Sequence, residues 1–124
     1  MVAYEKVDVK NTSEVIHPGH PAVIDTALLE NKTKTFKAGT ILKLNAAGEA
    51  LIPAAPADNP VAVLAQDSDG KNAEVLVCWH GTVVFSRLVD ASGAAPVAAT
   101  LAFANKLRAA GIYPLQLFAN AKKG

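Results

Sequence analysis

Glu74-Val75-Leu76-Val77-Cys78-Trp79-His80-Gly81-Thr82-Val83-Val84-Phe85 is the stretch that decides the fold. It is apolar and rich in β-branched residues, which fit a pleated surface. In an extended chain Val75, Val77 and Trp79 share one face, and Leu76, Cys78 and His80 share the other. Both faces are largely apolar. That predicts a strand covered on both sides, as in a closed or oligomeric barrel. His80-Gly81 reads as a two-residue turn, so 74–79 and 82–85 are expected to fold back on each other as a tight hairpin.

Working outward towards the N-terminus, Asp67-Ser68-Asp69-Gly70 predicts a turn, because these residues bond their own backbone or supply a positive φ. Val61 to Ala65 reads as a strand. Pro53 to Pro60 holds three prolines in eight residues and reads as a surface loop, since proline withholds a ladder donor. Thr40 to Leu44 is a strand closed by Asn45 through Gly48, and Ala50 to Ile52 pairs back before Pro53. Working the other way, the spacing predicts one helix over about 96–110. Pro96 suits its first turn, with Ser92 or Gly93 before it as a cap. Leu101, Ala104, Leu107 and Arg108 form its stripe, with Phe103 beside it. Lys106 and Arg108 complement the dipole in the last turn, and Gly111 takes the left-handed cap. Ile112 to Phe118 then reads as an edge strand, because Pro114 lacks a donor. Asn120 to Gly124 is a polar tail.

Residues 1–36 are weakly patterned. His17-Pro18-Gly19-His20-Pro21 breaks any regular element, and the β-branched pairs Val15-Ile16 and Val23-Ile24 flank the break. With few large apolar anchors, this segment is expected to be an extended arm ahead of a domain over 37–119, the alternative being that residues 20–36 wrap the barrel.

Composition bounds the function. In 124 residues there are 12 basic and 11 acidic side chains, a net charge of +1. That balance leaves no clustered basic excess for nucleic acid. Alanine supplies 24 residues, so the 51% apolar fraction overstates the larger apolar side chains, which still suffice to fill one small core. No run approaches the roughly 18 apolar residues of a membrane helix, and the first residues do not read as a secretion signal. A single cysteine forms no internal disulfide, consistent with synthesis in a cytoplasm.

No set of residues in the sequence assembles a chemical site. His17 and His20 have an H-x-x-H spacing, and Cys78 and His80 alternate on one strand face, but a zinc site needs all four to converge. A proline-bent loop does not align two imidazoles, so neither a metal nor any other cofactor is expected. Cys78 and His80 lack a third group to orient the histidine for nucleophilic catalysis. Asp67 and Asp69 resemble half a calcium loop without its glutamate. No nucleophile, base and stabiliser come together, and the chain is expected not to be an enzyme.

The order of pieces resembles the lambda-type phage head decoration proteins, the cement proteins of the capsid. Lys37-Ala38-Gly39-Thr40-Ile41-Leu42 looks like the entry to the first barrel strand. Pro60-Val61-Ala62-Val63-Leu64-Ala65 is similar to the strand that follows the family's loop, with Val63 where members often have glycine. Ala73 to Trp79 followed by Gly81-Thr82-Val83-Val84-Phe85-Ser86-Arg87-Leu88 looks like its apolar hairpin. Leu107-Arg108-Ala109-Ala110-Gly111-Ile112-Tyr113 resembles the helix end. The likeness covers roughly Lys37 to Phe118.

The resemblance implies a mostly β domain with one helix, a small β-tulip-like barrel carrying an extended N-terminal arm. It implies a homotrimer on three-fold positions of the expanded head, bound to the major capsid protein on the outer surface of the virion, with neither nucleic acid nor membrane as partner. The arm would order on the shell by strand addition. Val15, Ile16, His17, Pro18, Pro21, Val23 and Ile24 are then the expected capsid-binding residues, with β-formers to pair and prolines to limit the ladder. The alternative is a small β-barrel ligand- or protein-binding module of another kind, such as another virion component.

Overall fold

A computed structural model describes residues 15–16, 22–31, 33–93 and 100–115. The chain forms β1 (Val23–Leu28), β2 (Ile41–Leu44), β3 (Leu51–Pro53), β4 (Ala62–Leu64) and β5 (Glu74–Val84). A short 3-10 turn at Phe85–Arg87 leads on, then helix α1 (Thr100–Ala109) and β6 (Ile112–Leu115). The sheet order is β1-β5-β4-β2-β3, with every neighbour antiparallel, and β6 pairs with β5 in parallel. The result is a β-rich, mostly antiparallel domain with a helix packed on it.

β5 is the organising strand, and it corrects one expectation. It runs unbroken for 11 residues through His80-Gly81, so there is no hairpin there. Gly81 has φ 143, and a Cβ on it would lie 3.1 Å from the Ala22 Cα. The glycine thus serves a close approach of backbone to backbone inside a strand, not a reversal. Its partners change at the same place. β1 pairs with Glu74 through His80, and β6 pairs with Gly81 through Val84. The register steps from Ile24–Cys78 to Val23–His80, which leaves Trp79 over as the extra residue of a bulge.

The covering of β5 on both faces is as its pattern predicts. Val75 and Val77 join Leu29, Leu42, Leu51, Ala62 and Leu64 in one cluster, with Trp79 packed against it. Cys78 joins Ile41, Val63, Val83 and Leu88 in another, where Phe103 and Leu107 of α1 and Ile112 of β6 also sit. Neighbouring residues divide between the clusters in β2 (Ile41 and Leu42), in β4 (Val63 against Ala62 and Leu64) and in β5 (Val77 and Cys78). This is the period of two expected of a sheet buried on both sides. Full burial of a side chain such as Phe103 or Leu107 stabilises by about 1.5–3 kcal/mol.

The helix is held at both the apolar stripe and the end. Phe103, Ala104 and Leu107 are buried, whereas Arg108 faces out. Gly111 takes φ 92 and donates to the Arg108 carbonyl at 3.0 Å, closing the last turn as expected of a C-terminal glycine. The Lys106 Nζ donates to the carbonyls of Pro56 and Ala57 at 3.2 and 3.0 Å, tying the helix to the proline loop. That loop is closed by Asp58, which accepts from the Ala55 N–H and pairs with Lys43 at 2.9 Å.

The segment read as an arm is partly built into the domain. Val15 and Ile16 are 2% and 8% exposed and belong to the cluster beneath α1. Ile16 also bridges to Val83 of β5. β1 lies along β5, and Leu29 is buried in the opposite cluster. β5 offers two edges, and these residues cover one of them with β-branched and leucine side chains. That satisfies more backbone than an unattached arm would.

Candidate functional site

Hydrogen-bond parity sets which way β1 faces. The Leu29 N–H donates to the Ala73 carbonyl at 2.8 Å, so Leu29 points its backbone inward to β5, and Asp25 and Ala27 share that direction. Ile24, Thr26 and Leu28 therefore turn their N–H and C=O groups away from β5. Leu76, opposite Thr26, accepts from Ala65 on its far side, which fits the same parity. The outward set continues at Glu30, whose N–H donates to the Leu51 carbonyl at 3.0 Å. Leu29 itself bridges in parallel to Leu51 of β3.

Among the described residues no strand pairs with the outer edge of β1 from Ile24 to Ala27, and the Leu29–Leu51 bridge, which takes up the outward side of Leu28, closes that window at one end. Three of the five exposed large apolar side chains among the described residues lie on β1, Val23 at 54%, Ile24 at 36% and Leu28 at 51%; the other two are Leu44 of β2 and Tyr113 of β6. One outward donor is filled from within, because the Thr26 N–H donates to Asp25 Oδ1 at 2.7 Å.

The expected shell-binding residues separate into three groups. Val15 and Ile16 are committed to the chain's own core and present no surface. His17, Pro18 and Pro21, together with His20, lie outside the described residues. Val23 and Ile24 are on β1 and exposed. Leu28, Asp25 and Thr26 belong to the same edge and were not anticipated. The signal was available in Val23-Ile24-Asp25-Thr26-Ala27-Leu28, a β-forming run broken only by one carboxylate.

No family model matches the chain, and no curated protein matches it.

Cys78 is fully buried, and its thiol donates to the His80 carbonyl at 3.3 Å. Desolvation pushes its pKa up to about 11, so the thiol stays protonated near neutral pH. It behaves as a small apolar side chain, without the thiolate that nucleophilic attack requires. The His80 ring meets Tyr113 edge-on, with centroids 5.8 Å apart. Trp79 is half-buried against the second cluster and does not stand out as a platform.

A shallow cleft beside β1 is lined by Thr26, Asp67, Asp69, Asn72 and Glu74. Its aspartates hold loops in place. Asp67 accepts from the Ala38 N–H at 2.7 Å, and Asp69 accepts from the Asn72 and Lys71 N–H groups at 2.9 and 2.8 Å. These bonds, the one from Asn72 foremost, hold the Asp69 carboxyl below its usual range. Among the described residues no group of three His, Cys, Asp or Glu side chains is placed to hold a metal ion.

Proposed function

We propose that the protein is a capsid decoration protein, which binds the expanded head of an icosahedral phage as a homotrimer at three-fold positions and stabilises it. The order of sequence pieces from Lys37 to Phe118 supports this reading, the hairpin at His80-Gly81 excepted because β5 runs straight through it, as does the pairing of a β-rich domain with one helix. The observation that carries it is the exposed apolar side chains of β1, where Val23, Ile24 and Leu28 lie together at the surface. Exposed apolar patches of this kind mark interaction surfaces, and an open strand edge adds backbone donors and acceptors.

The same reading takes the sheet as a small closed barrel of the tulip kind. The Leu29–Leu51 bridge and the Glu30–Leu51 bond support it, because they link the two ends of the order β1-β5-β4-β2-β3. The partner is the major capsid protein on the outer face of the virion. A ligand that binds only the mature shell lowers that state's free energy by about 2.7 kcal/mol per site at a hundredfold excess over Kd. Three copies on one rigid body add avidity. Such a role needs no catalytic group.

Two measurements test the proposal together. Sedimentation should give a mass near three times 12.9 kDa, and purified protein should saturate expanded shells while leaving immature shells bare. A monomer, or equal binding to both kinds of shell, overturns it.

A further inference from the structure

We infer that the bond between Asp69 and Gly70 is a latent isoaspartyl site, kept silent by the hydrogen bonds that hold the Asp69 carboxylate. This is a spontaneous modification and stands apart from the shell reading. The dipeptide Asp-Gly occurs once in the sequence. Glycine, with no side chain, hinders least the attack of its own backbone nitrogen on the preceding carboxyl carbon. In that step the Gly70 nitrogen bonds to Asp69 Cγ, and the nitrogen's proton and the carboxyl's hydroxyl leave together as water. The product is a five-membered succinimide. Water then opens the ring at either carbonyl. One opening restores aspartate. The other runs the main chain through the former side-chain carboxyl and lengthens it by one methylene. Water is the only co-reactant, and Asp69 is exposed to it.

The fold opposes ring closure in two ways. Both carboxylate oxygens are engaged by residues 71 and 72. Asp69 Oδ1 accepts from the Lys71 and Asn72 N–H groups at 2.8 and 2.9 Å, and Oδ2 accepts from Asn72 Nδ2 at 2.8 Å. Bonds of this kind favour the ionised carboxylate, which has no hydroxyl to expel. The backbone on either side is pinned as well. The Ser68 N–H donates to the Phe36 carbonyl at 2.9 Å, the Phe36 N–H donates to Ser68 Oγ at 2.7 Å, and the Ala73 carbonyl accepts from Leu29 at 2.8 Å. Gly70 itself sits at φ 74, where an added Cβ would lie 3.1 Å from Thr35 Cγ2. Swinging the carboxyl carbon onto the Gly70 nitrogen therefore breaks bonds that the folded loop keeps. An inserted methylene would fall just ahead of β5, where Glu74 pairs with Leu28 of β1.

The test ages the folded wild type, the same chain in urea and folded Asn72→Ala side by side at mildly acidic pH. Electron-transfer fragmentation of the peptide that holds Asp67 and Asp69 counts isoaspartate at each position. At residue 69 the folded wild type should form it at least about tenfold more slowly than the chain in urea. Asn72→Ala keeps the backbone donors and deletes the side-chain donor, so at residue 69 it should form isoaspartate about threefold faster than the folded wild type. Asp67, held separately by the Ala38 N–H, should stay at its wild-type rate in that variant. Equal rates for folded and urea-unfolded wild type overturn the inference. So does an Asn72→Ala variant whose rate at residue 69 is unchanged, or rises only in step with residue 67.

Discussion

Leu29 and Leu51 bridge in parallel across what the strand order makes opposite ends of the sheet. Leu29 follows β1 directly, and Leu51 opens β3. Both are nearly fully buried in the same cluster, at 3% and 2% exposure. The contact joins the first and last strands of the order and sets where the open window of β1 stops.

Leu29→Ala removes the larger part of that contact and leaves a cavity in the second cluster. Substitutions of this kind cost about 2–5 kcal/mol. The expected outcome is a lower urea midpoint with an unchanged slope, and faster exchange at the Glu30 amide, whose acceptor is the Leu51 carbonyl. A loss below about 1 kcal/mol would mean that the residue is not seated as described.

Cys78 links stability to alkaline pH. Its folded pKa, about 11, lies above the ordinary 9.0 because burial disfavours the thiolate. The folded state holds the proton that the unfolded state releases, so stability falls as pH rises through this interval. The contribution is fully present below about pH 9 and lost by about pH 11. Denaturation midpoints should therefore decline across that window in the wild type, and decline less in Cys78→Ala. At pH 8 the native thiol should react with a disulfide reagent far more slowly than in urea.

Much of the fold was legible because alternation carries it. Ile41/Leu42 and Val77/Cys78 each send one side chain to each cluster, and both pairs lie in runs whose apolar pattern reads as strand. The end of α1 was legible because Gly111 is the residue that its cap conformation favours. His80-Gly81 misled because a glycine with positive φ is the mark of a tight turn and equally of a strand that another backbone crosses. Only the position of Ala22, distant in sequence, separates the two. Val15 and Ile16 misled for a related reason. A short β-branched pair beside prolines shows nothing about which edge of a distant strand is vacant to receive it. Of the candidate site, Val23 and Ile24 were legible as β-formers, whereas the outward turn of the Ile24 and Thr26 backbone depends on a hydrogen-bond parity that no composition reveals.

Two glycines separate strain from crowding. Gly39 and Gly48 have φ of 103 and 73. A side chain at positive φ costs about 1–2 kcal/mol in either place. At Gly48 an added Cβ meets open space, whereas at Gly39 it would land on the Arg87 carbonyl oxygen. Gly39→Ala is therefore expected to cost at least about twice what Gly48→Ala does, since the backbone must also move. Equal losses in thermal denaturation would show that the 3-10 turn gives way freely.

The exposed face of β1 allows the shell reading to be tested without disturbing the fold. Ile24→Thr and Leu28→Thr keep β propensity while removing apolar area, and both positions are well exposed, at 36% and 51%. Stability should change by no more than about 0.5 kcal/mol. Shell binding should change much more. If each copy loses about 1 kcal/mol of contact, a single attachment weakens about fivefold. For a trimer engaged at all three copies the losses add in free energy, so the apparent affinity falls on the order of a hundredfold. Titrating expanded shells with each variant distinguishes these cases. A hundredfold loss at wild-type stability supports trivalent attachment through β1, a fivefold loss supports a single contact, and unchanged binding removes this edge from the interface.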